Sequence, residues 1–451
     1  MRASCTAIWL AAVASAAAWG QLRVGTFKSD VTPPLGQPLI WVMPTTKIED
    51  PLLAKGVVLE DRGQRYVLCA VDWCGLSNRS HRLLRDKVAK AAGTTPDHVA
   101  LQTLHQHTAP YVDGDAYALL EQMGRPVVRF EESALVQIAD RLADAVKKAA
   151  GSMRPFDQVG TGEAEVERVA SARRLPTPDG KVVIRFSTDG KKPEMAAAPE
   201  GPVDRTVRTV TLGQGDKPLV RLHYYATHPQ TWCCDGRVSA DFVGAAREQL
   251  EKEEGVFQIY FTGAAGDVTV GKYNDSSVAK RTELATRLLA GLKKSDEATK
   301  WSAVTELNWK SLPLVLPKKL STQQEIDARL AEAKATDDEA ARYRLTIAAA
   351  FGLRQEPLSA SLLSLGPVRI VHLPGEPMLE FQRFAQIAAP GQFVAMAGYG
   401  DIAPGYLCTD RAYDQGGYEP GASNTTKGAE SVLKQTLRAL LGSRAPTGSG
   451  R

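Results

Sequence analysis

Cysteine is scarce in this chain, six residues in 451, so no disulfide framework can replace a hydrophobic core. Histidine is nearly as rare, at seven, which makes any clustering of it informative. Neither sign of charge dominates: 55 Lys and Arg stand against 51 Asp and Glu, for a net +4. Lys and Arg form no long basic block, which argues against nucleic acid as a partner. Beyond the first twenty residues no apolar run is long enough to span a bilayer. What is left, 43% hydrophobic and 24% charged, is globular composition.

The start, MRASCTAIWLAAVASAAAWGQ, has one arginine, a short Ala-rich apolar run and small residues up to Gly20. That pattern predicts a secretory signal peptide cut near Gly20, and hence a soluble protein that is secreted or periplasmic. The expected segments are a signal peptide over 1–20, one large domain over 21–445 and a disordered tail over 446–451. Five cysteines remain after Cys5 is removed, an odd number that leaves at least one thiol unpaired. They are Cys69, Cys74, Cys233, Cys234 and Cys408. Cys69 and Cys74 are close enough in sequence to pair. Cys233 and Cys234, neighbours on an extended chain, point to opposite faces, which argues against a shared metal.

RYVLCAVDW (65–73), HVALQTLHQH (98–107), RTVTLG (208–213), LVRLHYYATH (219–228), FQIYFTG (257–263) and VRIVHLPG (368–375) are predicted strands. They are rich in β-branched and aromatic residues and stop at Gly, Pro or Asp. Helical patterns fall at 82–92, 131–150, 244–254 and 279–293. The alternation predicts the α/β class, a mixed β-sheet core flanked by helices. Residues 323–350 contain neither Gly nor Pro and are rich in Ala, Glu and Arg. They read as an inserted, solvent-facing helical hairpin over about 321–352.

Five stretches carry groups that can do chemistry. In TLHQHTAP, His105 and His107 would share one face of a strand. They can hold a metal together, or one can bind while its neighbour moves protons, or both can be satisfied core groups. His228 ends a predicted strand before Pro229, a position suited to a site on the rim of an α/β sheet. His223, an odd number of residues earlier, faces the other way and reads as structural. Glu376, in VHLPGEP, is placed for a metal or a proton, but on spacing alone it reads as a cap on the helix that follows. In FTGAAGDVT, Gly263 and Gly266 can offer N–H groups to a developing oxyanion or simply make a turn before Asp267 and Thr269. In GYLCTDRAYDQGGYEPGAS, Tyr406, Tyr413 and Tyr418 suit a surface site, where a phenol can ligate, hydrogen-bond or stack.

Taken in order, these stretches resemble the N-terminal catalytic domain of the neutral (non-lysosomal) ceramidases and the bacterial proteins that share it. VGTFKSDVTPPLG resembles that family's opening, a Gly and then D-[IV]-T-P-P, and HQHTAP stands where it has H-T-H-S-G-P. YATHPQTW with SADFVG resembles F-A-x-H-P with S-D-N-V-G, and GDVT stands at G-D-V-S. GEP matches G-E-P, and GGYEPGAS resembles Y-E-G-A-S. The matches run across roughly residues 24 to 430. The resemblance implies a ceramidase-like catalytic domain over 21–445 and leaves no room for the family's C-terminal immunoglobulin-like domain.

The resemblance further implies one zinc ion held by His105, His228, Glu376 and Tyr418, with His107 as the neighbouring proton donor or acceptor. It implies Tyr406 as a hydrogen-bond donor to an oxyanion and Arg173 as a residue near substrate. Thr269 stands in place of a serine that is nucleophile or close participant, and Ala172 in place of an asparagine before the arginine. Zinc with N and O ligands lowers the pKa of bound water to about 7. The function expected is a secreted zinc-dependent amidohydrolase that cleaves an N-acyl, ceramide-like amide. Its partner would be a small-molecule or lipid N-acyl substrate, reached with or without transient membrane-surface contact. The alternatives are a zinc esterase, an N-acyl-sugar or cell-wall amidase, or a non-catalytic, zinc-stabilised envelope binding protein. Thr108 and Ala109, which depart from the family's turn, are where substrate preference is expected to differ.

Overall fold

Three short parallel strand pairs organise the computed structural model, which describes residues 21–442. The predicted signal peptide and tail lie outside the described residues. Parallel neighbours cannot be joined by a tight turn, so each pair needs a crossover, and each here uses a helix. Gln64–Val71 pairs with Val99–Thr103 across helix Asn78–Ala92. Lys217–Tyr225 pairs with Phe257–Thr262 across helix Asp241–Glu254. Val368–His372 pairs with Phe393–Ala397 across helix Leu379–Ala388.

Each pair forms one edge of a larger sheet whose other pairings are antiparallel. The first sheet continues through Leu53–Asp61, Arg23–Asp30 and Arg154–Pro155. The second continues through Thr206–Gln214, Gln158–Glu165 and Lys300–Ala303. The third continues through Leu358–Leu365 and Asn308–Leu314. Mixed sheets flanked by helices, the class expected, is the architecture.

The crossover helices bury one stripe each. In Asn78–Ala92 the stripe is Leu84, Val88 and Ala92, at helical spacing, and Gly93 ends the helix with φ +70°. The edge strands of the three sheets then meet at their carboxyl ends. Thr103 N–H donates to Tyr399 O at 2.7 Å and Gly398 N–H to Thr262 O at 3.0 Å. The buried Gln102 amide nitrogen reaches Leu373 O, Ala397 O and Gly398 O, each at 3.0 Å. Three sets of strand-to-helix loops are thereby brought to one place, the usual position for a ligand in α/β sheets.

The stretch 323–350 forms two helices, Gln323–Ala335 and Glu339–Leu353. The first is largely exposed, but the second is not the solvent-facing helix expected. It buries Tyr343, Ile347, Ala350 and Phe351, and Tyr343 stacks on Tyr117 with ring centroids 5.0 Å apart. Its buried positions mix Ile347 and Phe351 with small Ala and Gly, Thr346 and even Arg342, so hydrophobic periodicity gives little sign of it. The cysteine pairing also differs from expectation. Cys69 and Cys74 are buried free thiols, as is Cys408, and Cys233 is bonded to Cys234. Cys69 lies within its strand opposite Gly56, whereas the Cys74 sulfur is 3.7 Å from His105 Nδ1. Among the described residues, no helix is long and apolar enough to cross a membrane.

Asp113 caps helix Gly114–Gln122, accepting the N–H groups of Asp115 and Ala116, and also accepts Asn78 Nδ2 at 2.8 Å. Burial outweighs these bonds and pushes its carboxyl up to about 7. A carboxyl raised on folding contributes stability that is full below its unfolded pKa, near 3.9, and is lost as pH rises through 7. The loss is about 1.4 kcal/mol per pH unit across that window at most. Asp113→Asn keeps the cap acceptor and removes the titration. Its melting temperature relative to the parent is expected to rise between pH 4 and pH 8, as thermal scans at each pH would show.

Candidate metal centre

The first sheet's edge strand stops at Thr103, and the backbone turns at His105 with φ +70°. The same-face geometry expected of His105 and His107 therefore does not arise from a strand. The two rings converge from a turn, edge to face at 4.9 Å. His105 N–H donates to Trp73 O, and its Nδ1 lies 2.7 Å from Cys74 O. His228 stands three residues beyond the end of its strand at Tyr225, not within it. Its Nδ1 lies 2.7 Å from Ala265 O and 3.0 Å from Val268 O. A carbonyl only accepts, so each ring carries its proton on Nδ1 and turns a bare lone pair outward from Nε2.

Both lone pairs point at one carboxylate. Glu376 Oε2 is 3.1 Å from His105 Nε2 and 3.3 Å from His228 Nε2, and all three side chains are buried. His228 Nε2 and Glu376 Oε2 have no hydrogen-bond partner. Three acceptors that face each other without a donor call for a cation, or for a proton on one of them. Two imidazoles and a carboxylate are a donor set that suits zinc. The electrostatics agree. Burial opposes charge on His105, but the Glu376 carboxylate raises its pKa well above the usual imidazole value. Burial likewise opposes ionisation of Glu376, yet His105 holds it well below the usual carboxylate range. His228 falls to about 4 through burial and then the charge of Arg173.

The remaining expected residues surround this cluster at different depths. His107 is half-buried, its Nε2 has no partner, and its Nδ1 is 3.9 Å from Cys233 Sγ. Burial, with the imidazoles of His105 and His228, lowers its pKa well below the usual value. Cys74, His105 and His107 form a second convergent group that shares His105 with the first. Tyr406 is paired in register with Glu376 on the adjacent strand, and its ring lies parallel to His228 at 6.3 Å. Its hydroxyl accepts from Arg173 Nη1 at 2.8 Å. Tyr418 lies farther out, 40% exposed, with its ring edge-on to Tyr406 at 5.7 Å. Arg173 is buried, and also donates to Gly266 O at 3.2 Å. Thr269 Oγ1 is 2.7 Å from Ser187 Oγ, which donates to Gln230 Oε1 at 2.7 Å. Tyr413 bonds to Ser423 and Thr425, away from the cluster.

Other readings are corrected by contacts that spacing does not reveal. Glu376 does not cap the following helix; Asp267 Oδ1 does, accepting Leu379 N–H at 2.8 Å. The Gly263 and Gly266 N–H groups are not free for an oxyanion, since they donate to Tyr225 O and Pro377 O. Gly266 instead permits close approach: a Cβ there would sit 2.6 Å from Glu376 O. His223 is structural as expected, bonded to Thr209 Oγ1 and Gln258 Oε1. Sequence reasoning missed Tyr399, whose buried ring stacks on His105 at 4.7 Å and whose hydroxyl has no partner. Its φ of +63°, between two glycines in AGYGD, marks it as a residue held in place by its surroundings.

Comparison with solved structures finds the same fold. A crystal structure of neutral ceramidase from Pseudomonas aeruginosa superposes with a TM-score of 0.69 at 17% identity, over 95% of this chain and 76% of that one. A ceramidase complexed with C2 gives 0.68 at 16% identity, over 93% and 75%. No family model matches the chain, and no curated protein does. The fold is thus ceramidase-like, and the chain carries at its strand ends a buried group able to hold a metal.

Proposed function

We propose that this protein is a secreted zinc-dependent amidohydrolase that cleaves an N-acyl amide. The observation that carries the reading is the convergence of His105 Nε2, His228 Nε2 and Glu376 Oε2, two of them without a partner, on a ceramidase-like fold. Zinc bound there supplies Lewis-acid polarisation of a carbonyl and acidifies water to a pKa of about 7. The Cys74 and Ala265 carbonyls hold the two imidazoles in the tautomer that binding needs. His107, kept neutral by burial and with Nε2 free, takes a proton at that atom and returns it to the departing amine.

The two tyrosines exchange the roles that the resemblance gives them. Tyr406 is buried and in register with Glu376, and Arg173, which cannot lose its proton, donates to its oxygen. We assign Tyr406 as the fourth donor and the more exposed Tyr418 as a contact for substrate. Tyr406→Phe is expected to weaken zinc at least about tenfold, by competition with a chromophoric chelator, while Tyr418→Phe leaves it within about twofold.

Thr269 is better placed to shape the wall than to attack. Its hydroxyl bonds to Ser187, and among the described residues no imidazole or carboxylate hydrogen-bonds to it as a base. Thr269→Val should cost about 1 kcal/mol of stability and lower turnover less than about tenfold. A loss of about 10⁴-fold or more would make it the nucleophile after all. The reading as a whole is tested on protein purified with zinc supplied. It should hold about one zinc and hydrolyse labelled N-acyl sphingosine or a simpler N-acyl amine. Zinc below a tenth of an equivalent would end it.

A further inference from the structure

Aromatic rings lead away from the metal cluster in two directions, and one of them carries an arginine with no carboxylate partner. On one side Phe186, 46% exposed, meets the edge of Tyr418 at 5.6 Å. On the other stands Trp41, whose backbone is in the left-handed region at φ +57° and whose ring stacks on Tyr111 at 5.7 Å. Its neighbour Ile40 donates to Ala109 O at 3.0 Å, two residues from His107, which ties this wall to the metal cluster. Helix Glu339–Leu353 docks against the same wall: Tyr343 Oη accepts Asp113 N–H at 2.9 Å and donates to Tyr111 O at 3.3 Å.

The next residue of that helix is Arg344. Its guanidinium lies 5.1 Å from the Trp41 ring centre, and the side chain is exposed. Among the described residues no carboxylate lies within 4.0 Å of it. Two other arginines of this region are satisfied. Arg342 donates to Thr336 O and Pro126 O, and Arg354 pairs with Asp401. An arginine pre-stacked on an aromatic face is a good partner for a planar carboxylate, because little of its freedom is left to lose.

Resting on the amidohydrolase reading, we propose that the amine half of the substrate carries an acidic group, so that the substrate class is the N-acyl amino acids. The acyl chain lies along Phe186 and Tyr418, and the carboxylate of the amine half pairs with Arg344. In the reaction water adds to the acyl carbon, the C–N bond breaks, and the products are a carboxylate and an amino acid whose nitrogen has taken the proton. A ceramide, whose amine half is neutral, leaves Arg344 without a partner.

The test compares three amides cleaved by the zinc-loaded protein: N-dodecanoylglycine, its neutral isostere N-dodecanoylglycinamide, and N-dodecanoylsphingosine. N-Dodecanoylglycine is expected to have a kcat/KM at least tenfold above that of the glycinamide, mostly through KM. Arg344→Gln should bring the two to parity, and Arg344→Lys should restore part of the gap. Cleavage of all three without preference, a preference for the sphingosine amide, or an equal loss on both glycine-derived substrates in Arg344→Gln would overturn the proposal alone. Cleavage of none would overturn the amidohydrolase reading, and this substrate class with it.

Discussion

His228→Ala is expected to reduce bound zinc from about one equivalent to less than a tenth and to lower kcat/KM by about 10³-fold or more, a loss of about 4 kcal/mol of transition-state stabilisation. The reason is that each of the three converging groups is committed in advance. His228 has its ring orientation set by two carbonyls, so neither a rotamer change nor a tautomer change can replace its lone pair. Metal content by elemental analysis and turnover on an N-acyl amine measure the two effects separately. His223→Ala is the matched control, because His223 is equally buried but bonds only to Thr209 and Gln258. It should lose stability and keep its zinc. The pair of variants also separates an enzyme from a metal-stabilised binding protein. In a binding protein His228→Ala would cost mainly thermal stability. Chelation of the parent should in turn lower its melting temperature by several degrees, since a ligand at 1,000 times its Kd adds about 4 kcal/mol to the folded state.

The elements that bring this cluster together were legible where the physics is local. Runs of β-branched residues that stop at Gly, Pro or Asp mark the strands, and alternation with helices marks the parallel edges. Those edges force the crossovers whose loops carry His228 and Glu376. Legibility failed where the deciding partner is distant in sequence. Glu376 has the spacing of a helix cap, but Asp267, over a hundred residues earlier, takes that place and frees the carboxylate to turn inward. His105 and His107 look like alternate residues of a strand. Thr103 is instead drawn to Tyr399 and Thr262 to Leu104, which ends the ladder before the histidines. Tyr399 itself gave no signal beyond its flanking glycines. A stacking partner across two sheets leaves no period in either segment.

Breaking the ion pair between Asp72 and Arg247 should cost stability and metal together. Arg247 donates through both terminal nitrogens to Asp72, at 2.7 and 2.9 Å, and both side chains are fully buried. Asp72 also accepts Leu53 N–H at 3.0 Å, and Arg247 Nε reaches Glu248 at 2.9 Å. The pair joins the crossover helix of the second sheet to the residue that precedes Trp73 and Cys74. The carbonyls of those two residues hold His105, so the pair braces one metal ligand from the element that follows the other. Arg247→Met leaves Asp72 buried without a counter-charge, at a cost of about 3–5 kcal/mol. If the brace matters to the site, zinc affinity falls as well, although the substitution touches no ligand. Replacing both partners by apolar residues, Asp72→Leu with Arg247→Met, should recover much of the stability, since no uncompensated charge remains. It should not recover the zinc affinity to the same extent, because the bond that fixes the turn before Cys74 is still absent. Denaturant unfolding and zinc titration of the two single variants and the double variant give a cycle for each quantity. A cost under about 1 kcal/mol in Arg247→Met would show that Asp72 does not depend on this counter-charge. Equal recovery of stability and zinc affinity in the double variant would show that the pair only stabilises the fold and does not position His105.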